Sequence, residues 1–344
     1  MPVHVPPSVL EWLLCADNQP VRYLTLTHLV GRPESSAEVK KAKAACGEYA
    51  PTKAVLSQYD QFRDDDKDAA YKKYTGRYWQ LIFLGQYRAD SQDARVREFA
   101  ERLIEARDWK LMPRGGQCLT ANLLCALSLL GYGEHATVRQ ATIDLADQVV
   151  KDGGVACEAM EYSLLSHCYM AQPKLLLCFA GNDAVKRHPA VDMIRRNLIA
   201  HQIHTYVPGN KNAWLKALAE KPDKTELRGT TVKSWVRDRK KRFLAEAGPG
   251  KPTAKPGWLK LGFPLNYNSD LLEALYALAL CGTKPDKKLS QPLDLLRRKM
   301  SGDGRWILEN SLNGKMRADV ETEGSPSKWL TYRAWFVRRH FEDL

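Results

Sequence analysis

The segment Met300-Ser301-Gly302-Asp303-Gly304-Arg305-Trp306 and its weaker echo Lys151-Asp152-Gly153-Gly154-Val155 each lie between two apolar helical stretches. A turn that recurs between paired helices marks a repeat architecture, in which each unit buries its apolar face only against its neighbours. Working outward from these turns, six stretches carry apolar residues at helical spacing with little polar interruption. They run about 22–30, 77–88, 119–131, 167–180, 269–281 and 328–340. One-faced, charge-rich helices alternate with them at about 37–46, 93–107, 136–150, 189–203 and 289–300, and another at about 8–15 opens the chain. A helix that is apolar all round has to be buried all round. The alternation predicts an all-α fold: an α/α toroid of about six helix pairs, an inner ring wrapped by an outer one. A superhelical solenoid fits the same pattern, but a closed ring accounts better for six fully apolar members. No persistent period-two pattern argues for a sheet.

The turn chemistry agrees. Gly131-Tyr132-Gly133, Gly181-Asn182-Asp183 and Cys281-Gly282-Thr283-Lys284-Pro285 are expected to stop helices, and Ser91, Ser269 and Ser327 to cap them. Two segments break the rhythm. Residues 47–75 read as an irregular link. Residues 205–260 read as a basic insertion or crossover, with helical pieces at 212–220 and 231–247 and a loop at Gly248-Pro249-Gly250-Lys251-Pro252. The expected organisation is one domain over 1–344 with that insertion inside it.

Charge is concentrated rather than spread. Of a formal net charge of +12, the segment Lys211–Lys255 carries an excess of eight, from 13 Lys and Arg against five Asp and Glu. That distribution argues for one basic patch, not polyanion binding by the whole fold. Trp214 and Trp235 interleave with Arg237-Asp238-Arg239-Lys240-Lys241-Arg242, a pattern suited to nucleic acid or anionic lipid. A solvated helix with its tryptophans docked on the ring is the favoured alternative. No run approaches the roughly 20 apolar residues of a membrane span, and the first residues lack a basic stretch followed by an apolar core. A cytoplasmic protein is expected, with its eight cysteines reduced.

The paired-helix units with the Asp303-Gly304-Arg305-Trp306 turn resemble the α/α toroids of squalene–hopene cyclases and protein prenyltransferases. Four phrases look like a prokaryotic branch of that terpenoid cyclase/prenyltransferase-like superfamily. They are Val21-Arg22-Tyr23-Leu24-Thr25-Leu26, Cys118-Leu119-Thr120-Ala121-Asn122-Leu123-Leu124, Phe263-Pro264-Leu265-Asn266-Tyr267-Asn268-Ser269-Asp270-Leu271-Leu272-Glu273 and Pro326-Ser327-Lys328-Trp329-Leu330-Thr331. The resemblance spans most of the chain outside about 205–255 and implies the shape. It carries across neither chemistry. The Asp-x-Asp-Asp acid of the cyclases has no counterpart, nor does the zinc site of the prenyltransferases. Asp64-Asp65-Asp66-Lys67-Asp68 formally matches a magnesium–diphosphate motif but lies in a polar link.

Two constellations remain. In a toroid, Cys118 and Cys168 begin adjacent inner helices, and Cys157 lies in the turn before the second of them, with His167 alongside. Three thiolates and an imidazole suit tetrahedral zinc; three independent thiols are the competing reading. His201 and His204 lack a third ligand nearby. Trp79, Asn122, Tyr267, Asp270, Lys328, Trp329 and Tyr332 lie along otherwise apolar helices or near their starts, where a toroid's axial hollow offers polar groups a partner or a ligand. Asp270 and Lys328 are expected to pair across consecutive units, with helix capping as the other role for Asp270. The expected function is binding or transformation of a small ligand, polar or apolar, in a central cavity. The alternative is a non-catalytic scaffold that binds a protein or nucleic-acid partner through 211–255.

Overall fold

The computed structural model describes residues 4–62, 66–107, 116–155, 168–207, 211–223, 225–227, 229–247 and 251–342. Sixteen α-helices lie among them. In the first half they are α1 Pro7–Leu13, α2 Gln19–Leu24, α3 Ala37–Ala44, α4 Ala50–Leu56, α5 Lys67–Tyr71, α6 Arg77–Gln86, α7 Ala94–Ala106 and α8 Gly116–Leu127. The second half holds α9 Ala136–Lys151, α10 Ala171–Ala180, α11 Pro189–Ala200, α12 Lys211–Ala219, α13 Val232–Ala247, α14 Leu271–Leu280, α15 Ser290–Arg298 and α16 Lys328–Glu342. Four two-residue strands complete the described elements: β1 Thr205–Tyr206, β2 Thr253–Ala254, β3 Trp306–Ile307 and β4 Pro326–Ser327. No helix among the described residues is long and apolar enough to cross a membrane.

The six apolar stretches are α2, α6, α8, α10, α14 and α16. In α6 every residue from Arg77 to Gly85 is buried, and in α14 every residue from Leu271 to Ala279. The alternate helices bury one face only: α7 turns in Val96, Phe99, Ala100, Leu103 and Ile104. Contacts run from α6 to α8, α8 to α10, α10 to α14, α14 to α16, and α16 back to α2. The one-faced helices lie against them, α3 on α2, α7 on α6, α9 on α8 and α15 on α14. Gly85 sets the α6–α8 spacing. A Cβ there would stand 2.7 Å from the Ala126 Cα, a distance no side chain tolerates.

The Asp303-Gly304-Arg305-Trp306 turn is a hinge of packing. Gly304 adopts φ 81°, a left-handed conformation that costs glycine little. The chain then delivers Trp306 to the interior, where Nε1 donates to Leu296 O (2.9 Å) and the backbone N donates to Thr331 Oγ1 (3.1 Å). One tryptophan thereby ties α15 to α16, and β3 pairs with β4 beside it.

Several local expectations change. The 47–75 link contains α4 and α5. Pro51 opens α4, which buries Thr52, Val55 and Leu56. Asp93 replaces Ser91 as the cap of α7, and Asp270 replaces Ser269 as the cap of α14, because a carboxylate one or two residues on reaches the free N–H groups. Ser327 does cap α16, accepting from Leu330 N at 3.0 Å. Gly131 (φ 95°) and Gly282 (φ 63°) are left-handed stops, whereas Gly181 keeps a right-handed φ of −81°. Among the described residues, the tryptophans of the basic segment belong to a core of their own. Trp214, Ala217 and Val236 form a separate small core with Trp235 and Phe243 packed on it. Below it, β1 and β2 pair antiparallel, Thr205 opposite Ala254, and so close the base of the α12–α13 hairpin.

Candidate functional site

The buried helices carry polar side chains at three successive levels. At the first, Trp79 of α6 is fully buried and its Nε1 donates to Tyr71 O at 2.8 Å. Its ring meets Tyr267 edge-on at 4.7 Å and Tyr74 at 5.1 Å. The Tyr71 and Tyr267 hydroxyls bond each other at 3.1 Å, and burial together with that bond drives Tyr267 well above the usual phenol range. Asn122 of α8 donates to Asn266 O at 3.3 Å. Asn266 itself is 0% exposed, holds φ 48°, and among the described residues neither end of its side-chain amide has a partner. Trp79, Asn122 and Tyr267, read from sequence as site residues, therefore do come together. Asn266, which joins them, lies inside a quoted phrase but was not singled out.

The second level is ionic. Lys174 of α10 and Glu273 of α14 are both buried and bond through both carboxylate oxygens at 2.5 Å. Asp270 is 1% exposed; its Oδ1 accepts from Glu273 N and its Oδ2 from Gly262 N, each at 2.7 Å. Burial, then the Glu273 charge, push Asp270 up to about 7, against the pull of those two backbone donors and of Arg333. Arg333 lies over the rings of Phe263 (4.7 Å) and Tyr276 (5.1 Å). Phe263 in turn stacks on Trp329 at 4.2 Å, and Trp329 Nε1 donates to Tyr49 OH. The expected Asp270–Lys328 pair does not form. Asp270 has committed its oxygens to backbone amides as a helix cap, and the Lys328 ammonium donates to Asp17 Oδ1 beside the start of α2.

At the third level Tyr332, fully buried on α16, bonds His28 Nδ1 at 2.5 Å and the Tyr276 hydroxyl at 3.1 Å. His28 sits in a π turn, Thr25–Leu29, that continues α2, a local distortion frequent at functional sites. Burial, then the Arg88 charge, hold His28 down to about 4. The imidazole is neutral at physiological pH, and the proton between Nδ1 and the Tyr332 hydroxyl is shared in one hydrogen bond. Arg88, just past α6, also acts electrostatically on Tyr23, Cys46, Cys125 and Tyr332. Among the described residues its side chain makes one hydrogen bond, from Nη1 to Gly85 O at 3.3 Å.

Sequence reasoning missed Lys174, Glu273, Arg333, Arg88 and His28. The first three had a signal, a charge inside a run that is apolar on every face. The other two had none, because nothing local distinguishes them.

The thiol set is described only in part. Cys118 and Cys168 are buried, and Cys118 is near enough to Tyr267 to act on its hydroxyl. Cys157 and His167 lie outside the described residues, as do Asp64 and Asp65; Asp66 caps α5. Among the described residues no group of three His, Cys, Asp or Glu is placed to hold a metal ion. His201 and His204 lie near Lys255, and burial, followed by the Lys255 charge, moves both below the usual imidazole range. Comparison of the chain with protein-family models, with curated proteins and with solved structures gave no match.

Proposed function

We propose that the chain closes into an α/α toroid and binds a small ligand in the aromatic-walled polar column between its inner helices. The succession of neighbours from α6 through α8, α10, α14 and α16 to α2 supports the ring. Asn266 carries the ligand reading. A buried amide with donor and acceptor both unpaired costs about 1–3 kcal/mol for each group. A ligand that offers one acceptor and one donor recovers that cost, with Trp79, Tyr267 and Asn122 as the surrounding wall. Trp329 and Tyr332 belong to the deeper wall, Asp270 fixes the loop that carries Asn266, and Lys328 stands near Asp17 outside the column.

The test is native mass spectrometry of the purified full-length protein beside Asn266→Gly, which suits φ 48° and removes the amide. The wild type should retain a small molecule that the variant lacks, while the variant's unliganded stability stays within about 1 kcal/mol. A variant that keeps the molecule overturns the reading. A zinc–thiolate centre at Cys118, Cys157, Cys168 and His167 is a separate part of the proposal. It calls for one zinc per chain by elemental analysis, lost in Cys118→Ser and in Cys168→Ser; a metal-free wild type ends it.

A second reading assigns the α12–α13 hairpin to a polyanionic partner in the cytoplasm. Its support is that Arg237, Lys241 and Arg242 are exposed on α13 while Val236 and Phe243 pack in the hairpin's own core.

A further inference from the structure

We infer that Lys255 is an imine-forming amine: with Trp258 and His204 it makes a site, apart from the column, for a small aldehyde or ketone that bears a second oxygen group. The site lies at the base of the α12–α13 hairpin. Thr205 pairs with Ala254 across β1 and β2, so the adjoining residues His204 and Lys255 stand opposite each other. Lys255 N donates to His204 O at 2.8 Å. The Lys255 side chain turns inward and the residue is only 4% exposed. Its Nζ lies 3.8 Å from the centre of the Trp258 ring and 5.6 Å from that of Tyr169, and it donates to Ile203 O. To present that carbonyl the chain holds Gln202 at φ 47° and Ile203 at φ 62°, a left-handed conformation costly for a β-branched residue.

An ammonium has three donors and is poorly tolerated inside a protein without an anion. Lys174 and Lys328 have Glu273 and Asp17. Among the described residues no carboxylate stands at ion-pair distance from Lys255. The titratable groups around it are His201, His204, Tyr169 and, behind Tyr169, Tyr206: imidazoles and phenols, with no acid among them. Burial brings the amine down to about 7, so a nucleophilic lone pair is abundant at neutral pH. Ala254, Pro256 and Gly257 beside it in the chain are exposed, which puts the amine one residue below the surface.

Trp258 supplies the sign of a ligand. It is 0% exposed, and among the described residues its Nε1–H has no acceptor. An indole N–H only donates, so a ligand oxygen would satisfy it while the ligand's carbonyl carbon meets Nζ. His204 can carry the protons. Its Nδ1 lies 2.7 Å from Gln202 O, which only accepts, so Nδ1 holds the hydrogen and Nε2 keeps the lone pair. In the reaction Nζ adds to the carbonyl carbon, forming the C–N bond as the C=O π pair moves to oxygen. The nitrogen gives up a proton and the oxygen gains one; a second such transfer expels water as the C=N bond forms. Amine and carbonyl become imine and water, with nothing oxidised or reduced.

The experiment treats the full-length protein with glyoxylate and sodium cyanoborohydride, which reduces any imine to a stable carboxymethyl amine. Peptide mass spectrometry then gives the rate at each lysine between about pH 5.5 and 9.5. At pH 7 Lys255 should react about tenfold or more faster than the exposed lysines, whose amines hold their proton up to about 10.4. Its rate should level off above about pH 8, whereas theirs should keep rising. Trp258→Phe, with its fold checked by circular dichroism, should slow labelling at Lys255 about fivefold or more, through loss of the N–H donor. Where that variant does not fold, the wild-type rates decide. Lys255 reacting no faster than exposed lysines, a rate at Lys255 still climbing at about pH 9.5, or undiminished labelling in folded Trp258→Phe overturns the inference. The site shares no residue with the column, so neither result bears on the ligand there.

Discussion

Lys174 and Glu273 illustrate how much a single buried side chain decides. Each was removed from water, and each is tolerable only through the other. Glu273→Leu alone strands an ammonium inside α10 and should cost about 3–5 kcal/mol in urea denaturation. Lys174→Met with Glu273→Leu should recover most of that loss, since an apolar pair of similar volume suits the site. A double variant no better than the single would mean that the pair contributes beyond its own neutralisation. Titration gives a second test, because His28 and Asp270 shift in opposite senses. His28 falls from 6.5 to about 4, so its contribution is complete above pH 6.5 and is lost as pH falls toward 4. Asp270 rises from 3.8 to about 7, so its contribution is complete below pH 3.8 and is lost as pH rises toward 7. Relative to wild type, His28→Gln should therefore cost less as pH falls from 6.5 to 4. Asp270→Asn should cost less as pH rises from 3.8 to 7. Stability curves measured across that range check both slopes, and parallel curves would refute the assignment.

Helices answer to pattern, and pattern is where the sequence was most readable. Gly85→Ala is the sharpest probe of how they pack. Its new methyl would meet backbone of Ala126, not a movable side chain, so α6 and α8 must separate. The expected cost is about 1–3 kcal/mol, read as a lower midpoint of thermal unfolding, and Gly47→Ala, with 3.8 Å of room beside Asp90, should cost far less. All six apolar runs became helices because continuous apolarity leaves no other way to be buried. Their ends were less legible: Asp93 and Asp270 outcompete nearby serines for the same N–H groups, and nothing in composition foretold the π turns at Thr25–Leu29 and Ser128–Tyr132. The site divides in the same way. Trp79 and Tyr267 could be grouped because each sits near a helix start, and Asn122 because it is a polar residue on an otherwise apolar helix, but the Asp270–Lys328 pairing failed. Which residue of a neighbouring element stands at the same height depends on loop lengths and register. Asp17 and Gly262 reach those two side chains from parts of the chain that no periodicity connects to them.

Across the whole molecule, the basic charge and the buried polar side chains of the main core lie in separate parts of the chain. Eight of the twelve excess positive charges fall between Lys211 and Lys255, most of them on a hairpin with its own Trp214–Val236 core. The hairpin leaves and rejoins the body through β1 and β2, where Tyr206 pairs directly with Thr253. Paired residues across an antiparallel ladder stand only about 5 Å apart, so a short turn can replace everything between them. Deleting 208–251 and inserting a Gly-Asn turn should leave the midpoint of thermal unfolding within a few degrees, because among the described residues no main-core residue is removed. The same deletion should abolish binding to heparin or duplex DNA. In the intact protein that binding should weaken steeply as salt rises, as displacement of counterions requires. A truncated protein that fails to fold would show that the other helices depend on the hairpin, and the hairpin could then no longer be treated as a separate unit.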